Sequence, residues 1–576
     1  MGGFTDLLST LNGILWHDTV LFALLGTGIL FTVWSGFSQY RALTHGTAVV
    51  RGAWDDPDDP GAINHFQALS AALSATVGLG NIGGVALAIS LGGPGAVFWM
   101  WVVGVFGMAI KLTEVTLSML YRNTEDEDNP HGGPMWVASK GIALMNPKLA
   151  WLGGTIGTIF CLTLLISTAT GGNMFQAFNV GLITYEYFGV PSWITGVILA
   201  VIVALVIIGG IKRIGRVAGV LVPFMVVLYL ACGIYVLAVN AGEIPAMFAL
   251  ILKSAFAPTE ASGAFIGGTA GAAFLFGMKR ALFSNEAGQG SSPIAHSAAK
   301  TDEPVREGIV AGLEPFIDTI VVCTFTALII LSTGVWNRAP DATWETPLEV
   351  TRAGNVWEFE SREPPIDDFN PGDAVTMVVI ADPNPKTGFD RHEITGIIVE
   401  RDGGLVIDWA PYTGPTEPEI LDDGFHQVYM AAVLTGKAFD EVQPGLGKWL
   451  VSLAAWLFAI STMISWSYYG EQAMVFLAGE KSVLAYKVVF CALIVVATLG
   501  IIKTDAQLDN LTGVGSGVML IANLPIMWIF GRQAMRAYHD YIDRMKAGLM
   551  GPDHPTPTIE DLISGRDVAR KDRDQR

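Results

Sequence analysis

The chain has 576 residues, 51% of them hydrophobic and only 15% charged, with a mean hydropathy of +0.46. Soluble domains carry about 25% charged residues, so this composition excludes a soluble enzyme or a nucleic-acid-binding module and requires a polytopic protein of the lipid bilayer. The four cysteines (161, 232, 323 and 491) all lie in apolar runs, which argues against a disulfide framework and gives no support to a metal cluster. The start, MGGFTDLLSTLNG, has no basic stretch before the first apolar run, so no cleavable signal peptide is expected.

In chain order, apolar runs of the about 20 residues that a crossing helix needs fall near 14–38, 65–90, 94–121, 151–180, 192–210, 216–240, 262–283, 308–334, 447–477, 483–502 and 509–531. The predicted fold class is an all-α polytopic membrane protein with about 11 transmembrane helices. The stretch 245–257 reads as a helix lying at the surface. Within the second run, SATVGLGNIGGVALAISLGGPG (74–95), Gly78, Gly80, Gly83 and Gly84 surround one amide, Asn81. Irregular backbone at membrane depth is tolerated only where it lines a cavity, and interrupted helices are how many transporters expose backbone groups to an ion and an anionic substrate group. The seventh run, GAFIGGTAGAAFLFG, carries a second glycine cluster at Gly267, Gly268, Thr269 and Gly271.

These two interrupted runs lie five helices apart, so runs 2–6 and 7–11 read as two five-helix halves of opposite topology. Basic residues set the orientation. Arg41, Arg51, Arg122, Lys140, Lys148, Lys212, Arg213, Arg216, Lys279, Arg280, Lys300, Arg306, Lys481 and the tail from Arg532 fall on one side, against Lys253 and Lys503 on the other. The N-terminus is therefore expected outside and the C-terminus in the cytoplasm. The predicted organisation is residues 1–335 with transmembrane helices 1–8 (extra helix 14–38, first repeat 65–240, start of the second repeat 262–334). An extracytoplasmic insertion over 336–426 follows, then a surface helix and helices 9–11 over 427–545, and a charged cytoplasmic tail over 546–576. Between Trp336 and Glu441 there are 21 acidic and 7 basic side chains, so much of the net charge of −19 sits there. AVTMVVIA (374–381), EITGIIVE (393–400) and GLVIDWA (404–410) alternate in strand fashion, which predicts a small β-rich domain.

Several stretches together resemble the alanine or glycine:cation symporter family: TVGLGNIGGVALAISLGGPGAVFWMW (76–101), GGPM (132–135), TGGNMFQAFN (170–179), LFSNEAGQGSSPIAH (282–296), DTIVVCTFTAL (318–328) and LFAISTMISWSYYGEQA (457–473). The resemblance covers nearly the whole chain except roughly 337–426 and the end after about 545. It implies the five-plus-five inverted repeat of the leucine-transporter type, with the first helix of each half unwound, and VGLGN (77–81) looks like the broken first helix of sodium-coupled leucine transporters. The acidic insertion departs from the family's compact form, and nothing about its role or partner carries over.

Site residues follow from the pattern and the resemblance together. A substrate carboxylate would sit on free amides near Thr76, Leu79 and Gly80, beside Asn81, because a half-helix N-terminus favours an anion; the competing reading of the glycines is close helix packing. A sodium ion, the co-transported cation, would take carbonyls of Ser74 and Val77 with Phe458, Ser461 and Thr462, an i, i+3, i+4 set on one face of run 9. Hydroxyls in membrane helices also bond back to their own turn. Asn173 is the first choice as substrate contact in run 4 and Gln176 the second, against a plain interhelical hydrogen bond. Thr269 and Gly271 would receive the substrate from the opposite half, and Trp466, Phe274 or Phe276 would limit its side chain to a methyl or less. Lys111 and Glu114, i, i+3 near the cytoplasmic end of run 3, read as a mutual pair, Glu314, Asp318 and Glu471 as structural or gating groups, and Asn285 with Glu286 as fixing the turn after run 7 and contributing to the inner gate.

The function expected is a Na⁺-coupled symporter of the plasma (bacterial inner) membrane that imports a small neutral amino acid, alanine or glycine, by alternating access. No Walker-type loop or acyl-transfer triad is present, so no enzyme is expected. The rivals are proton coupling through Asp318 or Glu314, a transporter-derived amino-acid receptor that senses through the insertion, and a passive channel.

Overall fold

A backbone in lipid must satisfy its own hydrogen bonds, so apolar length becomes helix. The computed structural model of the chain describes residues 2–56, 58–126, 130–259, 264–265, 267–366, 369–383, 389–401, 403–502, 505–550 and 556–564. The start of the predicted seventh run (262–263), Lys503 and most of the predicted tail lie outside the described residues.

The principal helices are α1 (Gly2–Leu15), α2 (Asp18–Trp34), α3 (His65–Thr76), α4 (Val85–Gly92), α5 (Ala96–Tyr121), α6 (Pro134–Met145), α7 (Ala150–Ala169), α8 (Phe175–Phe188), α9 (Ser192–Ile207) and α10 (Gly210–Val239). The second part holds α11 (Ile244–Ser254), α12 (Ala270–Asn285), α13 (Ser292–His296), α14 (Pro304–Ala311), α15 (Thr324–Thr333), α16 (Ala432–Val442), α17 (Ser452–Ala478), α18 (Val483–Ala497) and α19 (Asp505–Ala547). Seven helical stretches among the described residues are long and apolar enough to cross a membrane: Leu7–Trp34, Ala96–Tyr121, Pro147–Phe188, Gly210–Val239, Pro304–Thr333, Gly447–Ala478 and Gln507–Ala547. An eighth is the bent pair His65–Thr76 and Gly80–Gly92, whose halves meet at 50°. At three more predicted spans the helices are shorter: α9 and α12 have 16 residues and α18 has 15.

Three expectations are corrected. Gly267, Gly268 and Thr269 do not interrupt a helix but precede one. Gly267 is left-handed (φ +100°), Gly268 pairs with Thr259, and Thr269 caps α12 by accepting from Ala272 N at 3.0 Å. A capped N-terminus needs no partner from a cavity, and α12 then runs unbroken to Asn285. The interruption follows it, where Glu286 (φ 57°), Gly288 (φ 83°) and Gly290 (φ 79°) turn the chain into α13. Glycine reaches that conformation without steric cost.

Second, Lys279 and Arg280 are not loop cations. Both are buried on α12 and share Asp509 of α19, each at 2.5 Å. Third, α16 does not lie on the surface. Ala432–Gly436, Ala438 and Phe439 are buried, and the Thr435 hydroxyl donates to the Ile82 carbonyl at 3.0 Å.

The acidic segment forms two antiparallel sheets. One has the order β1 (Ala342–Thr343), β9 (Gly424–Gln427), β4 (Ala374–Ile380), β5 (Arg391–Arg401), β6 (Gly404–Trp409), with β8 (Glu419–Ile420) beside β4; the other is β2 (Val350–Ala353), β3 (Val356–Phe359), β7 (Tyr412–Thr413). The three alternating sequence runs are β4, β5 and β6. Their inward side chains Val375, Met377, Val379, Ile394, Ile398 and Ile407 form a separate core, as the period of two requires.

Breaking a buried ion pair strands the remaining charge at a cost of about 3–5 kcal/mol. Asp509→Asn, which leaves two buried cations without a carboxylate, is expected to lower the stability of the purified protein by that amount in detergent melting.

Candidate functional site

The first interruption is where polar side chains from distant helices converge. Helix α3 ends at Val77, whose ψ of 86° leaves helical geometry. The chain resumes through a wide π-type turn, Gly80–Gly84, into α4. The freed donors have named partners: Gly78 N donates to Asn81 Oδ1 at 2.8 Å, and Leu79 N to Gln176 Oε1 at 3.1 Å. Gln176 is itself held by donating to the Gly171 carbonyl at 3.0 Å. The Asn81 amide nitrogen faces Ser284 Oγ at 3.0 Å and Asp318 Oδ1 at 2.5 Å. Asp318 also accepts from Ser284 and Thr319, both at 2.7 Å.

On the other side of the break stand the residues predicted to take a cation. Ser74 Oγ donates to the Ser461 carbonyl at 2.7 Å, and Ser461 Oγ donates to the Phe458 carbonyl at 3.0 Å and the Ser74 carbonyl at 3.4 Å. Thr462 is 1% exposed, and its hydroxyl has no hydrogen-bond partner. It faces Gly78 so closely that a Cβ there would overlap it. An orphaned hydroxyl beside opened backbone and two serine–carbonyl contacts is a set of hard oxygen donors that fits an alkali cation.

The remaining predicted residues divide. Thr76 bonds back to the Ala72 and Leu73 carbonyls, both at 3.4 Å, so its hydroxyl proton is turned into its own helix and away from the break. Trp466 packs over Gly172, next to the π-type turn Thr170–Met174 that carries Asn173. Asn173 donates to the Phe490 carbonyl of α18 at 2.7 Å, which is an interhelical bond away from the break, while Gln176 reaches the break itself. Thr269 and Gly271 lie at the opposite end of α12 from Ser284, half-buried and exposed, and are not brought to the other residues. Phe274 stacks on Phe22 and meets Trp99 edge to face, and Phe276 packs on Gly92. The aromatic side chain that covers the break is instead Phe283, 3.3 Å from where a Cβ on Gly80 would stand and 2.8 Å from one on Gly171. Phe283, Ser284 and the Asn81–Asp318 contact were missed as site features; their signal was the SNEAG block, which reads as a hydrophilic turn.

Comparison with known proteins gives a consistent picture. The model of the sodium:alanine symporter family matches residues 1–354 and 419–554, passing over most of the β insertion. The sodium/alanine symporter AgcS of Methanococcus maripaludis is 35% identical, the match covering 90% of this chain and 93% of that one. The putative sodium/proton-dependent alanine carrier protein YrbD of Bacillus subtilis is 30% identical over 94% of each chain. Among solved structures, MhsT in complex with L-phenylalanine superposes with a TM-score of 0.50 at 13% identity, covering 88% of this chain and 97% of that one, which shows a shared leucine-transporter-type fold.

Overpacking costs about 1–3 kcal/mol. Gly78→Ala, which drives a methyl into Thr462, should lower the melting stability by that amount. Gly154→Ala, where a Cβ meets nothing within 4 Å, should not lower it.

Proposed function

The chain belongs to the sodium:alanine symporter family, and from that premise we propose that it imports alanine or glycine together with Na⁺ by alternating access across a bacterial-type inner membrane, N-terminus outside and C-terminus in the cytoplasm. As a member of that family it is a multi-pass membrane transporter and not an enzyme. The single observation that carries the finer reading is the Thr462 hydroxyl, buried without a partner against the opened backbone at Gly78. A buried hydroxyl left unpaired costs about 1–3 kcal/mol, and a cation held among Thr462, Ser461, Phe458, Ser74 and Val77 relieves that cost.

The substrate carboxylate would take the amides of Gly78, Leu79 and Gly80, two of which now donate to side-chain amide oxygens of Asn81 and Gln176. Those oxygens are acceptors that a carboxylate replaces in kind, with its charge favoured by the half-helix N-terminus. Phe283 and Trp466, pressed against Gly80, Gly171 and Gly172, leave room for a small side chain only. We assign the second interruption of the inverted repeat to residues 286–291, between α12 and α13, facing the first through Ser284 and Asn81. The rocking of the two broken helices would then carry the site from one side to the other.

A proton-coupled mechanism is the second reading. It is favoured by Asp318, a buried carboxylate in contact with Asn81 that is ion-paired to no basic side chain among the described residues.

Uptake of labelled alanine into proteoliposomes at clamped pH separates them. The symport reading expects uphill accumulation only with an inward Na⁺ gradient, and unchanged uptake without Na⁺ would exclude it. In the same assay Thr462→Ala is expected to raise the Na⁺ concentration for half-maximal uptake on the order of tenfold, the equivalent of about 1.4 kcal/mol.

A further inference from the structure

Away from the break, a second buried polar cluster joins the opposite ends of both broken helices. His65, the first residue of α3, is hydrogen-bonded through Nδ1 to Glu307 of α14. The other Glu307 oxygen meets His296 Nδ1 of α13 at 2.5 Å, and His296 Nε2 meets Glu314 Oε1 at 2.6 Å. Glu314 also accepts from Lys111 Nζ of α5 at 3.2 Å and from Ser292 Oγ at 2.7 Å. All five titratable side chains are 0% exposed. The groups that face them from neighbouring elements are Glu114 on α5, held by Asn523 at 3.1 Å, Arg122 at the end of α5, a cation near Glu307 that donates to the Ser297 and Ala299 carbonyls just after α13, Glu286 before α13, held by Ser291 at 2.5 Å, and the partnerless Tyr469 hydroxyl on α17. Asp318 lies one turn beyond Glu314.

Proton counting constrains this cluster. A neutral imidazole has one N–H and one bare nitrogen, and a carboxylate only accepts. Both nitrogens of His296 face carboxylate oxygens, so a second proton must be present, on the ring or on one of the two acids. With it, Lys111 and His296 balance Glu307 and Glu314. Without it, the buried site loses one positive charge beside two further carboxyl groups, Glu114 and Glu286, which is costly at low dielectric.

We propose that the His296–Glu307–Glu314 cluster is a proton-binding site that latches the cytoplasmic ends of α3 and α13 together, so that inward opening requires the proton to leave. This rests on the orientation proposed above. Opening pulls His65 and His296 away from Glu307 and Glu314, exposes them to water and weakens their hold on the proton. The two conformations then differ in proton affinity, and by linkage an alkaline cytoplasm favours the open one. The proton enters and leaves on the same side, so it controls the gate without being carried as cargo.

The test clamps internal and external pH separately in proteoliposomes and follows alanine counterflow at equal Na⁺ on both sides. Raising internal pH from about 6 to about 8.5 should accelerate wild-type exchange at least about fivefold, the lower end of typical coupling between sites. His296→Gln should be insensitive to internal pH, and Glu307→Gln, with one carboxylate fewer to hold the proton, should respond at a more acidic midpoint. A flat wild-type profile, a response to external pH only, or an unmoved midpoint in Glu307→Gln would overturn the proposal. Hydrogen–deuterium exchange of residues 286–303 in the purified full chain, corrected for intrinsic rates, reads the same latch without transport. Protection that falls with rising pH in the wild type supports the latch even if no alanine uptake is found, a result that would remove the transport reading instead. Protection that stays constant overturns the latch.

Discussion

The structure depends on what the Asn81 side chain does for a helix opened inside the protein. Val77 and Gly78 leave helical geometry in surroundings where each unsatisfied backbone group costs several kcal/mol. Asn81 Oδ1 takes the Gly78 N–H, and its amide nitrogen reaches Ser284 and Asp318 on the other half of the chain. One side chain therefore satisfies the opened backbone and ties it to α12 and to the segment that carries Asp318.

Around that link, the two faces of the break are finished differently. On one side Ser74, Ser461 and Thr462 leave an oxygen-rich corner with an orphaned hydroxyl. On the other, Phe283 and Trp466 lie over glycines that admit no side chain of their own. The β insertion leads back to this centre through α16, which follows β9 and donates from Thr435 to the Ile82 carbonyl. At the far ends of α3 and α13 the contacts are ionic and histidine-centred.

The first break was legible because glycines and an amide in an apolar run have few other uses, and the strands of the insertion because a period of two identifies them. The second glycine cluster was misread for a compositional reason. Gly267–Gly271 looks like Gly78–Gly84, yet Thr269 caps the helix there and removes the need for a cavity. The turn that ends α12 contains Asn285 and Glu286, whose polarity resembles a loop. Lys279 and Arg280 were counted as loop charges because their partner, Asp509, lies some 230 residues away. The order of Asn173 and Gln176 was decided by the π-type turn at Thr170–Met174. It inserts a residue into the helical phase, so positions three apart no longer share a face.

The central claim is that Na⁺ and a small amino acid share the first break. Calorimetric titration of alanine into the purified protein, with Na⁺ and with choline in its place, tests it most directly. The account predicts that Na⁺ tightens alanine binding and that alanine tightens Na⁺ binding by the same factor, as linkage between two sites requires. Alanine binding with equal affinity in choline would contradict it.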